Sequence, residues 1–161
     1  MPRRTPHDRR VLVGIVTVTV TVTVAVVSGC SSSPTVEAAP QAGSPACTAA
    51  LAAAPALVLD QARTTISTAG ALAWGDPAIV VRCGLEPLGP STKSCIGVNG
   101  IDWVIDDASD PVTATSYGRA PAVEVRMPRA VGAVRLPAAL VDLAPVATAL
   151  PTTSRTCTGP T

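Results

Sequence analysis

The chain has one histidine, no phenylalanine, one tyrosine, two tryptophans and a single lysine, Lys93, and each shortage narrows what it can do. The histidine, His7, lies in an amino-terminal stretch with the layout of a removable signal. Ser-His-Asp and Cys-His catalysis, histidine metal sites and histidine general bases are therefore excluded from the mature protein. No Gly-rich phosphate loop, GxSxG elbow or SxxK occurs, so neither a nucleotide site nor a serine-nucleophile site is indicated, and no cofactor is implied. Nor does either charge predominate. Beyond residue 29 there are 10 acidic and 8 basic residues, which leaves no electrostatic footprint for nucleic acid. With so few aromatics the core must be built from Val, Leu, Ile and Ala, and a small domain of that kind gains from covalent cross-links.

What is present begins with an export signal. Arg3, Arg4, Arg9 and Arg10 precede an uncharged run from Val11 to Val27, followed by Ser28, Gly29 and Cys30. A basic start, an apolar stretch and small residues form the three parts of a secretory signal. An aliphatic residue, two small residues and Cys resemble the bacterial lipobox, in which the Cys thiol receives a diacylglyceryl group, cleavage precedes the Cys, and the new amino terminus is often acylated. The alternative is an uncleaved transmembrane anchor: Val11 to Gly29 is 19 residues, near the lower length for a spanning helix, with the arginines held inside. The domain reading is a signal peptide over 1–29, a flexible Ser/Ala/Pro tether over 30–46, and one disulfide-stabilised domain over 47–161.

Four cysteines remain, Cys47, Cys83, Cys95 and Cys157, and an even number outside the cytoplasm reads as two disulfides. Three pairings are open. The favoured one joins Cys83 to Cys95, close in sequence, and Cys47 to Cys157, tying the ends of the domain together. A zinc site of four thiolates lacks a close Cys pair.

Periodicity gives an α+β domain: an antiparallel sheet of about four to five strands with a helical segment before and after it. Thr48 to Ile66 carries Leu51, Val58, Ala62 and Ile66 near helical spacing, with a break near Ala54 and a second helix from Pro55. Ala78 to Cys83 reads as a strand buried on both faces except at Arg82. Asn99 and Gly100 both tolerate positive φ, as a type I′ hairpin demands, which sets Val98 opposite Ile101 and Ile96 opposite Trp103 on one apolar face. Val112 to Tyr117 and Ala122 to Met127 follow as strands, the second with Val123, Val125 and Met127 inward and Glu124 and Arg126 outward. Leu136 to Leu150 is a helical stretch interrupted at Pro145.

Two groups of polar residues could carry a ligand. Asp102, Asp106, Asp107 and Asp110 offer oxygens to a hard cation, but their spacing fits no EF-hand and they read as a solvated acidic turn, so no metal site is assigned. Trp74 and Asp76 precede a buried strand, and Arg82, Tyr117 and Arg119 could join them in a small polar cleft; the structural reading has Trp74 plugging the core edge and Arg82 pairing with Asp76.

The run Trp74-Gly75-Asp76-Pro77-Ala78-Ile79, then Arg82-Cys83-Gly84, Val98-Asn99-Gly100 with Trp103, and Tyr117-Gly118-Arg119 with Pro121 and Val123, resembles an actinobacterial family of envelope proteins catalogued as domain of unknown function 3515. That resemblance spans roughly Cys47 to Cys157 and implies a signal- or lipid-bearing envelope protein; it supplies no activity and no catalytic residue. The expectation is a non-enzymatic lipoprotein at the extracytoplasmic face of the cell membrane. It is attached through lipid on Cys30 and acts as a binding or assembly module for an envelope protein or cell-wall ligand. The alternative is a carboxylate-dependent enzyme acting on envelope glycan or peptide, which needs two carboxylates facing each other in one cleft.

Overall fold

A computed structural model describes residues 34–158. The expected signal over 1–29 and the lipid-bearing Cys30 lie outside the described residues. The order is α1 (Pro45–Ala52), β1 (Leu57–Val58), β2 (Gln61–Thr64), β3 (Ala71–Trp74), β4 (Ile79–Leu85), β5 (Cys95–Val98), β6 (Ile101–Asp106), β7 (Val112–Tyr117), β8 (Ala122–Met127) and α2 (Leu136–Thr148), with two short 3₁₀ turns before α2. All strand pairs are antiparallel, in the spatial order β1-β2-β3-β4-β8-β7-β6-β5. Among the described residues no helix is long and apolar enough to cross a membrane.

Alternation along the strands divides the sheet into an inner and an outer face. Trp74, Ile79, Val81, Cys83, Trp103, Val112, Ala114, Val123, Val125 and Met127 point inward and form one buried cluster with Cys47 and Ala50 of α1 and with Ala139, Leu140 and Leu143 of α2. Both helices therefore cover the inner face. Each fully buried Val, Leu or Ile in this layer stabilises by about 1.5–3 kcal/mol, so small side chains suffice when the stack is continuous. The Asn99-Gly100 hairpin has the expected register, Val98 opposite Ile101 and Ile96 opposite Trp103, with both turn residues at positive φ.

The sheet has eight strands, more than the four to five expected, and the additional three all come from residues 57–74. The expected second helix from Pro55 is instead the hairpin of β1 and β2, whose two-residue turn places Leu59 at φ 49° and Asp60 at φ 65°. A left-handed Leu is costly, and two features offset it: the side chain is buried, and its N–H donates to Asp142 Oδ2 of α2 at 2.9 Å. That partner is 83 residues away, which is why helical spacing misleads here. Pro145 does not interrupt α2. It sits on the exposed side of the helix, as does Val141, whose carbonyl loses its helical donor to the proline ring but can bind water instead.

Residues 34–44, expected to be part of a flexible tether, pack against the domain. Val36 joins Ala71, Ala73 and Val80 on the outer face, and Ala39 is buried. Thr68 Oγ1 donates to Val36 O at 2.9 Å, Arg82 Nη1 to Glu37 O at 3.1 Å, and Gln41 N to Gly84 O at 2.9 Å. The close approach requires glycine at 84: φ is +107°, and a Cβ there would lie 2.4 Å from Gln41 C and Ala42 N. Ser44 then caps α1, its side chain accepting from Cys47 N at 3.3 Å, with Pro45 in the first turn.

The disulfides are Cys47–Cys83, with Cα atoms 5.5 Å apart, and Cys95–Cys157, at 6.1 Å. The expected pairing of Cys83 with Cys95 and Cys47 with Cys157 is corrected by the topology. Strand β4 is four places from β5 in the sheet, about 19 Å at the usual strand spacing of about 4.8 Å. Cys83 also points inward, opposite Val123, whereas Cys95 is opposite Val104 on the outer face. Each cysteine bonds to the one that shares its face.

Candidate functional site

The five residues expected to form one cleft do not converge. Trp74 is fully buried under the helices; its Nε1 donates to Pro55 O at 3.2 Å, and the Arg63 guanidinium lies 5.6 Å from the ring centroid. Asp76 is exposed in the β3–β4 turn. Arg119 Nη1 donates to Leu150 O at 3.0 Å, and its backbone bridges to Thr152, so it fastens the carboxy-terminal tail. Arg82 and Tyr117 both lie on the outer face of the sheet, and Tyr117 and Arg119 both line a small hollow of about 130 Å³ beside the carboxy-terminal tail. Arg82 pairs with Glu124 rather than with Asp76, because β4 is registered against β8 with Arg82 opposite Glu124.

That outer face carries a groove which the sequence reading did not assemble. Its floor comes from alternate residues of three strands: Val104 and Asp106 on β6, Thr113, Thr115 and Tyr117 on β7, and Glu124 on β8. Register sets Thr115 between Val104 and Glu124, and Thr113 between Asp106 and Arg126. The loop from Leu88 to Ser94 forms one wall and the tail around Thr156 and Cys157 another. The larger hollow is about 660 Å³ and is lined by Ser91, Thr92, Ser94, Tyr117, Thr156 and the Cys95–Cys157 bridge; a neighbouring one of about 300 Å³ reaches Thr113, Thr115 and Glu124. The signal for it was legible as Val112-Thr-Ala-Thr-Ser-Tyr117, whose alternation puts Thr113, Thr115 and Tyr117 on one face.

Both carboxylates of the groove are engaged by cations. Glu124 is 8% exposed, and its Oε1 accepts from Arg82 Nε at 2.7 Å and from Arg126 Nη1 at 3.2 Å. Lys93 pairs with Asp106, and this bond, with a further one from Ala108 N, holds the Asp106 carboxyl below its ordinary value. A depressed folded-state pKa means the contribution is present at neutral pH and lost as pH falls through the acidic range where Asp106 protonates. The remaining polar side chains of the lining bear hydroxyls, beside apolar Leu88, Pro90 and Val104.

The carboxylates of the acidic run accept backbone N–H groups, one of them local and two from distant segments. Asp102 Oδ2 accepts from Cys157 N at 2.8 Å, Asp106 Oδ1 from Ala108 N at 3.2 Å, and Asp110 Oδ1 from Arg129 N at 2.9 Å. Among the described residues no group of three or more His, Cys, Asp or Glu side chains could hold a metal ion.

Neither a curated protein nor a solved structure matches the chain. A family model described as "Protein of unknown function (DUF3515)" matches residues 10–154, well over half of the sequence, including every strand and both helices. The chain belongs to the DUF3515 family of proteins of unknown function.

Proposed function

We propose that this protein is a non-enzymatic binding module of the cell envelope. It is held at the extracytoplasmic face of the membrane by lipid on Cys30, and its outer-face groove is the binding surface for uncharged, hydroxyl- and amide-bearing cell-wall glycan. The observation that carries the reading is the groove itself: hydroxyls of Ser91, Thr92, Ser94 and Thr156 line one hollow with the only tyrosine, those of Thr113 and Thr115 line the neighbouring one, and Glu124 and Asp106 are already engaged by cations. Neutral polar ligands are recognised by a few placed hydroxyls beside an aromatic surface, without a net field. A carboxylate enzyme is less well supported, because Glu124 and Asp106, the carboxylates that line the groove, are each engaged by cations rather than facing each other.

Two measurements check this reading. The lipidated protein in detergent is expected to co-sediment with purified cell-wall glycan, and Tyr117→Ala to lower retention by at least about tenfold, as loss of an aromatic anchor does. Equal retention by both proteins would count against the groove. Replacing Cys30 with Ala is expected to give a precursor that is neither lipidated nor cut before residue 30. Normal processing of that variant by mass spectrometry would remove the lipid anchor from the account.

A further inference from the structure

The two disulfides have opposite environments. Cys47 and Cys83 are both 0% exposed and lie inside the core between α1 and β4. Cys95 and Cys157 are partly exposed and line the larger hollow of the groove. Exchange requires a thiolate to reach a sulfur, so access decides which bridge reacts. What each bridge holds also differs. Cys47–Cys83 fixes a helix to a central strand, whereas Cys95–Cys157 fixes the last described residues to the edge strand β5. Beyond Thr153, two other hydrogen bonds reach from this tail to the domain: Cys157 N to Asp102 Oδ2 at 2.8 Å, and the exposed Arg155 guanidinium to Leu88 O. The second ties the tail to the loop that forms the other wall.

We propose that Cys95–Cys157 is a thiol–disulfide exchange site for a dithiol reductant, and that its opening releases the tail and loosens the Leu88–Ser94 wall, so that access to the groove is under redox control. A thiolate of the reductant attacks one of the two sulfurs, forming a mixed disulfide and expelling the other cysteine as a thiolate, which takes a proton. The second thiol of the reductant then displaces the protein sulfur. The reductant leaves as its own disulfide, and two electrons and two protons have passed to Cys95 and Cys157. The consequence for ligand access rests on the groove being the binding surface; the exchange itself does not.

The test is graded reduction of the folded full chain with dithiothreitol, followed by alkylation and peptide mapping, with hydrogen exchange on the same samples. Cys95 and Cys157 are expected to be alkylated at a reductant concentration at least about tenfold below that needed for Cys47 and Cys83. At that point, amides of residues 154–158 and 88–94 are expected to exchange faster while β4 and β8 are unchanged. Opening of both bridges together, or of the buried one first, overturns the exchange site. Selective opening with unchanged exchange in the tail and loop overturns the redox control. Cys157→Ser, reproducing the released tail without reductant, separates a change in the wall from other effects of the reagent: faster exchange in residues 88–94 supports the release, and unchanged exchange opposes it. None of these readouts uses the glycan, so failure of glycan binding would remove the binding surface and leave the exchange result standing.

Discussion

Replacing both Cys47 and Cys83 with Ala is expected to lower stability by about 4 kcal/mol, which for a domain of this size shifts the thermal midpoint by roughly 15 °C. The chain-entropy part follows from the sequence separation of 36, because the bridge removes that loop's freedom from the unfolded chain. Packing adds to it, since both sulfurs touch the core between α1 and the sheet and Ala leaves space there. The Cys95–Cys157 bridge closes a longer separation, 62 residues, and on loop length alone its removal would cost more. It is expected to cost less, under about 2 kcal/mol, because the released tail recovers its own freedom in the folded state and offsets much of the effect. Urea titrations of the two double variants check the order. A larger loss for the Cys95 and Cys157 pair would mean that the tail is integral to the core rather than a wall of the groove.

Trp74→Ala is expected to cost about 3–5 kcal/mol, the usual range for removing a fully buried large aromatic. The indole fills the inner layer beside Ile79, gives its N–H to Pro55 O, and lies under the Arg63 guanidinium. Trp74→Phe keeps most of the volume and removes one of the two donors to Pro55 O, the other being Arg63 Nε, for about 1 kcal/mol beyond the change in packing. Trp103 provides the comparison. Its Nε1 is buried and without a hydrogen-bond partner among the described residues, so Trp103→Phe sheds an unsatisfied donor and is expected to be the milder of the two Phe substitutions. Thermal denaturation of both variants distinguishes them. If Trp74→Ala kept full stability but lost ligand, Trp74 would belong to a binding cleft after all.

The parts of the fold that follow from local chemistry were legible in the sequence. The Asn99-Gly100 turn, the alternation of Ala122–Met127 and the Val112–Tyr117 strand depend on residues within a few positions of one another. What escaped depends on long-range partners. The β1–β2 turn needs Asp142 to accept the Leu59 N–H, and β3 is a four-residue Ala-rich strand held by pairing with both β2 and β4. Disulfide pairing needed the non-sequential neighbour β4–β8, which moves β5 to the far edge and makes the shortest sequence spacing the wrong guide. For the site, side-chain type alone drew attention to Trp74, Asp76 and Arg119, which serve packing, a turn and the tail. Of the five, Tyr117 lines the groove, and its threonine neighbours do not stand out in the sequence as a site, because threonines become a surface only when adjacent strands set them side by side.

The helical side offers the contrasting surface. Residues 45–59 carry no charge, and the exposed side of α2 presents Pro137, Ala138, Val141 and Pro145. The most direct test of the central claim is therefore in-cell photo-crosslinking of the full chain, with a photoreactive residue at Thr113 on the groove floor or at Ala138 on the helical face. The account predicts an adduct with cell-wall glycan from position 113 that disappears in the Tyr117→Ala background, and none from position 138. Adducts from position 138 with none from 113 would place the working surface on the helices and contradict it.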